Sequence, residues 1–176
     1  MFGELDGSRS DRATAIEAAF SGARFESHLS GSILQEMWEK WVFIATGAGS
    51  TCLMRAAVGD IVAAHATDLV KILLAECAAV AARQGFPVRA DFLQKAEAMF
   101  TAPGSTLTTS MLRDIESHGR IEADHVIGDL LERAGSHTDS TTSLSLLRIV
   151  YAHLKAYEAR RTGEATAAEA AQVKHP

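Results

Sequence analysis

Several residue types are scarce or missing in this 176-residue chain, and each absence narrows what the protein can be. Two cysteines, Cys52 and Cys77, are too few and too far apart for a disulfide framework or a zinc site, so we expect two buried free thiols in a reducing compartment. The longest uncharged run, residues 41–54, is shorter than the roughly 20 apolar residues that a membrane span needs. The polar start carries no secretory signal. We therefore expect a cytoplasmic protein without a membrane partner.

Basic charge is also limited. The formal net charge is −5, which argues against nucleic acid as a partner because phosphate binding requires a basic surface. Alternating apolar and polar residues, the signature of strands, are missing as well. The chain also contains no asparagine.

Helical periodicity is what the sequence does have. Leu34, Met37, Trp38, Trp41 and Ala45 follow the i, i+3, i+4, i+7 pattern of one helix face. The same reasoning predicts a leading helix within residues 11–24 and further helices over 34–61, 67–85, 89–104, 107–119, 121–137 and 141–161, with a flexible tail at 162–176. The prediction is a single all-α domain of six or seven helices.

The segment "FIATGAGSTC" resembles the start of a dinucleotide-binding loop. Gly47 and Gly49 fit the first two positions of G-x-G-x-x-G, but Cys52 occupies the third. No parallel-strand pattern surrounds the segment, which such a loop requires. We interpret the glycines as close helix-packing positions or as a kink in the helix.

Histidines and acids cluster around residues 118–125, but their spacing does not suit a metal. His118 and His125 are seven residues apart with Gly119 between them, whereas ligands on one helix face would be four apart. Glu122 and Asp124 lie nearby. We expect surface histidines and no metal site.

Lys40 lies between Trp38 and Trp41, the only tryptophans in the chain. One interpretation is a surface ion pair with Glu36, four residues earlier, in the favourable helical orientation. The other is a lysine placed for chemistry. For Glu122, the alternative to a functional role is that the residue is simply solvated on the polar side of its helix.

Three segments together resemble the C-terminal domain of the ketopantoate reductase family. They are "MWEKW", like the family's Trp-x-Lys helix; "SMLRDIESHGRIEADHVIGDLLERA", like its Ser-Met-x-x-Asp run and Glu-x-Asp-x-x-x-Gly helix; and "YAHLKAYEARR", like its closing helix. The opening "FGELDGSRSDR" is similar to the family's connection from its nucleotide-binding domain.

This resemblance implies a fold of the 6-phosphogluconate dehydrogenase C-terminal type. Residues 1–10 would be the connection from a missing nucleotide-binding domain, and residues 11–161 the helical domain. The family's two-domain enzymes act in pantothenate biosynthesis, where NADPH bound to an upstream Rossmann domain reduces a small 2-keto acid. The resemblance thus implies a homodimer of two-domain subunits, and a chain that alone is inactive and binds no cofactor.

The resemblance also implies site residues, at the positions of this sequence that match the family's motifs. The family's general-acid lysine falls on Lys40 and its active-site glutamate on Glu122, which would bind a substrate hydroxyl or orient the lysine. Its substrate-contacting serine falls on Ser110, and Asp114 of the same run is the second predicted substrate-binding residue.

The family's asparagines are replaced here by Ile44, Ala48 and Leu107. Losing amides that hydrogen-bond a hydroxy-keto acid weakens selection for it. We expect a bulkier or more apolar 2-keto substrate and poor use of ketopantoate.

Two functions remain open from the sequence. The chain is either the substrate-binding half of a 2-keto acid reductase or a non-catalytic helical module that keeps the fold for dimerisation or interaction. Retention of Lys40, Ser110 and Glu122 favours the first, whereas the missing asparagines and nucleotide-binding domain favour the second.

Overall fold

The computed structural model describes residues 1–135 and 145–173, and most of them are helical. The elements are α1 (Asp11–Phe20), α2 (Ile33–Met54), α3 (Val58–Ala63), α4 (Thr67–Arg83), α5 (Ala90–Phe100), α6 (Ser110–Glu116), a π-helical turn (Asp124–Gly128), α7 (Asp129–Ala134) and α8 (Ser145–Val173). In these described ranges the only β pairing is a single parallel bridge between Phe2 and Leu29. The predicted all-α fold is confirmed.

The described part of the chain contains eight α-helices rather than six or seven. The predicted helix over 34–61 ends at Met54 because Arg55 adopts a left-handed conformation with φ 53°, and the chain resumes as α3. The predicted helix over 121–137 is divided into the π-helical turn and α7, and residues 136 and 137 lie outside the described residues.

The central element is α2, which contacts α3, α4, α5, α6, α8 and the π-helical turn. Its buried face packs into one apolar core that includes Val42, Ala45, Cys52, Leu73, Cys77, Val80, Leu112, Ile127, Leu130, Leu147 and Leu154. Cys52 and Cys77 are buried and free, as predicted. Burial raises the pKa of Cys52 to about 11 and that of Cys77 to about 12, so both stay protonated thiols.

The two glycines of "GAGS" lie inside α2, where no strand-to-helix turn exists for a dinucleotide to bind. A Cβ on Gly47 would lie 3.0 Å from the Phe100 ring, and one on Gly49 would lie 2.7 Å from Leu73 Cδ2. Their interpretation as close helix-packing positions is confirmed.

Buried carboxylates fix two helix ends. Glu76 of α4 accepts hydrogen bonds from the backbone N–H groups of Leu146 (3.2 Å) and Leu147 (2.7 Å), in the first turn of α8. Residues 141–144 of the predicted last helix lie outside the described residues. At its other end α8 continues through Val173, across most of the predicted tail, and residues 174–176 are not described.

Glu39 of α2 is 1% exposed and binds Arg89, just before α5. Its Oε1 accepts from Arg89 Nε (2.8 Å) and from the Arg89 backbone N–H (3.0 Å).

None of the helices in the described ranges has both the length and the apolar character needed to cross a lipid bilayer.

Candidate functional site

A groove of about 590 Å³ lies between the exposed side of α2 and the side chains of the π-helical turn and α7. Its apolar lining is contributed by Leu34, Met37, Trp38, Trp41, Ile44 and Val126, and its ionisable lining by Lys40, His125, Asp129 and Arg133. Leu34, Met37 and Ile44 are 40%, 50% and 41% exposed. The groove thus combines an open apolar floor with two cationic side chains, Lys40 and Arg133.

Lys40 lies in this groove with an exposed side chain. The expected ion pair with Glu36 is wrong: Glu36 lies 3.5 Å from His28 Nε2 instead, and in the described part of the chain no carboxylate oxygen is within 4.0 Å of Lys40 Nζ. The aromatic rings do not enclose Lys40, because its side chain is exposed.

The aromatic rings beside Lys40 hold a different cation. Trp38 and Trp41 stack with ring centroids 5.1 Å apart, and Phe86 stacks on Trp38 at 5.8 Å. The guanidinium of Arg133 lies over both indoles, 5.9 Å from Trp38 and 5.5 Å from Trp41. Sequence reasoning missed Arg133 because nothing in its local pattern connects α7 with α2.

A second pocket, of about 370 Å³, adjoins the groove. Ser110, Asp114 and Glu122 line it together, each with an exposed side chain. Lys40 is not among its lining residues, but Ile44 and Val126 line both cavities and form the boundary between them. The structure therefore brings three of the four predicted site residues into one pocket and places the fourth in the adjoining groove.

The three residues predicted to stand where the family has asparagines also line this pocket. Ile44, Ala48 and Leu107 contribute apolar walls, together with Phe43, Phe100, Met111 and Val126. Among the described residues that line it there is no lysine, arginine or histidine. The pocket is an apolar chamber whose ionisable groups are two carboxylates.

Ser110 is the first residue of α6, and its position depends on two threonines. Thr109 precedes the helix and caps it, its side chain accepting from the Leu112 N–H at 3.4 Å. The Thr109 hydroxyl is also 2.8 Å from that of Thr51, a buried residue of α2. This contact fixes the start of α6 against α2.

Glu122 lies two residues before the π-helical turn, which α8 holds in place. Asp124 accepts hydrogen bonds from the Tyr151 hydroxyl (2.8 Å) and from Lys155 Nζ (3.0 Å). The bond from Tyr151, followed by that from Lys155, lowers the pKa of Asp124. A Cβ on Gly128 would lie 3.0 Å from the Tyr151 ring, so glycine allows the close approach. Asp124 and Gly128 of the predicted motif are therefore packing residues, and Glu122 is the one that faces the pocket.

Trp41 connects the groove to the same turn. Its indole N–H donates to the Val126 carbonyl at 2.9 Å, inside the π-helical turn. Because Val126 separates the two cavities, this bond sets the position of their boundary. Single π-helical turns are frequent at functional sites.

No three His, Cys, Asp or Glu side chains converge as metal ligands within the residues the structure describes. His125 instead lies with Nδ1 3.8 Å from Asp129 Oδ2, one helical turn later. Its ring is otherwise exposed.

Comparison of this chain with known proteins finds a matching family model and similar proteins. The family model of the C-terminal part of ketopantoate reductase (PanE/ApbA) matches residues 32–158. The uncharacterized oxidoreductase YkpB of Bacillus subtilis (strain 168) is 35% identical over 162 residues, which are 92% of this chain and 52% of that protein. The 2-dehydropantoate 2-reductase of Salmonella typhimurium is 27% identical over 134 residues, 76% of this chain and 42% of that protein.

A solved structure of a 2-dehydropantoate 2-reductase is also similar to this chain. The 2-dehydropantoate 2-reductase from Methylococcus capsulatus superposes with a TM-score of 0.75 and 29% identity, over 90% of this chain and 50% of that chain. The chain thus spans about half the length of the curated relatives it matches.

Proposed function

This chain belongs to the ketopantoate reductase family, in which it corresponds to the C-terminal domain, and we propose that it is the substrate-binding half of an NADPH-dependent 2-keto acid reductase. One observation carries the proposal. Ser110 and Asp114 of α6 and Glu122 from the segment after it line a single pocket, and Lys40 lies in the groove that shares a boundary with it. A 2-keto acid placed across that boundary would meet both the lysine and the pocket.

Lys40 is the proposed general acid. Reduction of a ketone turns its oxygen into an alkoxide, which must take up a proton. The Lys40 ammonium donates that proton, and exposure to solvent allows the amine to be reprotonated. The lack of a carboxylate partner within 4.0 Å in the described residues leaves its N–H groups available to the substrate.

Ser110 and Glu122 are proposed to bind and orient the substrate. The Ser110 hydroxyl can donate to or accept from an oxygen of the substrate, and the Glu122 carboxylate accepts from a hydroxyl. Asp114, on the same helix as Ser110, shares the pocket rim and contributes a second acceptor.

The described residues of this chain do not fit the cofactor's diphosphate, because Gly47 and Gly49 are packed inside α2 rather than at a helix N-terminus. We therefore assign NADPH to the other half of the reductase, where it supplies the hydride. In this arrangement residues 1–10 form the connection between the halves and residues 11–161 form the helical domain. We further propose that the complete protein is a cytoplasmic homodimer.

The substrate is proposed to carry an apolar side chain. Ile44, Ala48 and Leu107 line the pocket at places where the family carries amides. A volume of about 370 Å³ is ample for a branched aliphatic or phenyl group. Ketopantoate, which carries a hydroxyl, would leave that group without amide partners.

The test joins this chain to the remaining half of the Bacillus subtilis relative and measures NADPH oxidation with a panel of 2-keto acids. We expect turnover of apolar 2-keto acids such as 4-methyl-2-oxopentanoate. No turnover of any 2-keto acid by a folded protein that binds NADPH would contradict the proposed function.

A second function, a non-catalytic interaction module, is favoured by one observation. Leu34, Met37 and Ile44 expose a large part of their apolar surface along one side of α2. Such a surface suits association with another protein surface. If this were the function, replacing Leu34 and Met37 with serine would disrupt association, as measured by sedimentation, and the joined protein would have no reductase activity.

A further inference from the structure

We infer that Arg133 binds the carboxylate of the substrate and so makes the site selective for 2-keto acids over uncharged ketones. The inference rests on the proposed function, which names a 2-keto acid but gives its carboxylate no cationic partner. The carboxylate and the keto oxygen are on adjacent carbons, so the group that binds the carboxylate must lie close to Lys40.

The described lining of the pocket supplies hydroxyl groups but no cation for the carboxylate. The ionisable side chains that line it among the described residues are Asp114 and Glu122, which would repel a carboxylate. The apolar part of the substrate therefore enters the pocket, and the charged end lies on the groove side of the Ile44–Val126 boundary.

The groove contains three candidates, Lys40, His125 and Arg133. Lys40 is assigned to the keto oxygen. His125 is 3.8 Å from Asp129, whose negative charge faces the same ring. Arg133 has no carboxylate oxygen within 4.0 Å in the part of the chain that the structure describes, so its guanidinium is available to a ligand.

Arg133 is also held in place for this role. Its guanidinium lies over Trp38 and Trp41, at 5.9 and 5.5 Å from the ring centroids. Its backbone carbonyl accepts a 2.7 Å hydrogen bond from Gln84 Nε2. A cation–π contact uses the positive charge of the guanidinium rather than its N–H donors, which can make a two-point bond to a carboxylate.

Every group invoked lies in this chain, so the chain itself can be tested. Trp38 and Trp41 are its only tryptophans, and their fluorescence reports on the groove. The probes are 4-methyl-2-oxopentanoate and its amide, which differ only in the charged end. Isothermal titration calorimetry gives the affinities independently of the fluorescence.

We expect the acid to bind saturably and the amide about tenfold more weakly, since an exposed charge-assisted pair contributes modestly. Arg133→Gln should reduce acid binding to the level of the amide and leave amide binding unchanged. Arg133→Lys, which keeps the charge but loses the planar fork, should lie between them. The matched control, Arg148→Gln, replaces an exposed arginine of α8 that lines neither cavity and should change nothing.

Three outcomes would overturn the inference: no saturable binding of the acid by the wild-type chain, equal binding of acid and amide, or an acid-to-amide ratio unaffected by Arg133→Gln. Binding of pyrophosphate that depends on Arg133, with keto acid binding that does not, would assign the residue to a phosphate and also overturn it. The proposed function is judged separately, by turnover in the joined two-domain protein.

Discussion

Neighbouring residues of α2, Glu39 and Lys40, lie in opposite environments. Glu39 is 1% exposed and accepts hydrogen bonds from Arg89 and Gln35, so its charge is fully compensated. Lys40 faces the open groove, and the described residues place no carboxylate within 4.0 Å of its amine. One helix therefore presents a buried face that holds the domain together and an open face that is available for ligands.

The two faces of α2 should respond differently to substitution. Changes on the buried face remove hydrogen bonds or close packing and should reduce stability. Changes on the open face remove groups that have few partners in the domain, so they should alter activity or specificity with little effect on folding.

Lys40→Ala should produce the largest effect, and it acts on activity alone. In the joined two-domain protein we expect kcat to fall by about 100-fold or more, the usual contribution of a positioned general acid. The free energy of unfolding should change by less than about 0.5 kcal/mol. Steady-state kinetics and urea unfolding measure the two quantities. The matched control, Lys95→Ala, removes an exposed lysine outside both cavities; if both variants kept full activity, Lys40 would be a surface residue.

Glu39→Gln should produce the largest effect on stability. The substitution weakens the hydrogen bonds to Arg89 and should lower the free energy of unfolding by about 2 kcal/mol. Glu97→Gln, which breaks the exposed pair with Lys71 at 2.7 Å, is the matched control and should cost less than about 1 kcal/mol. Equal losses in urea unfolding would contradict the contrast between the faces.

The same carboxylate predicts a pH dependence. The hydrogen bonds from Arg89 lower the pKa of Glu39 below its ordinary value of 4.5. The folded state therefore binds this proton less readily than the unfolded state, and the stabilisation is present above that value and lost as the pH falls below it. Wild type should lose stability more steeply than Glu39→Gln on acidification below the ordinary value, and parallel curves would contradict this.

Specificity should respond to the open face and the pocket walls. In the joined protein, Ile44→Asn, Ala48→Asn and Leu107→Asn combined should raise kcat/KM for ketopantoate by about tenfold and lower it for 4-methyl-2-oxopentanoate. The physical reason is that amides give the ketopantoate hydroxyl hydrogen-bond partners. Efficient use of ketopantoate by the unmodified pocket would show that the amides are unnecessary.

Much of the fold could be predicted because helical periodicity and stop signals are local. Gly85 and Pro87 correctly marked the end of α4 at Arg83. The pocket residues Ser110 and Glu122 came from motif order, which local sequence records. The stop at Arg55 was missed because a left-handed arginine leaves no compositional signal.

The contacts that give the site its charge were harder to predict. Arg133 lies over Trp38 and Trp41 only because α7 packs against α4 and the π-helical turn, which both contact α2, and no periodicity connects such distant segments. For Glu39 a signal did exist. It precedes buried Val42 by three residues and buried Thr46 by seven, which places it on the core face of α2.

The smallest predicted effect concerns Gly49 on the buried face. An added Cβ would lie 2.7 Å from Leu73 Cδ2 and 3.3 Å from Val150 Cγ1, so α4 and α8 would have to shift their side chains. Overpacking of this kind costs about 1–3 kcal/mol, and replacing a helical glycine with alanine returns up to about 1 kcal/mol. Gly49→Ala should therefore lower the free energy of unfolding by about 1 kcal/mol in urea. The matched control is Gly163→Ala in α8, where a Cβ meets nothing within 4 Å and the helix preference alone acts, so that variant should be slightly stabilised. Stabilisation of Gly49→Ala to the same extent would show that α2 does not need its glycine for close packing.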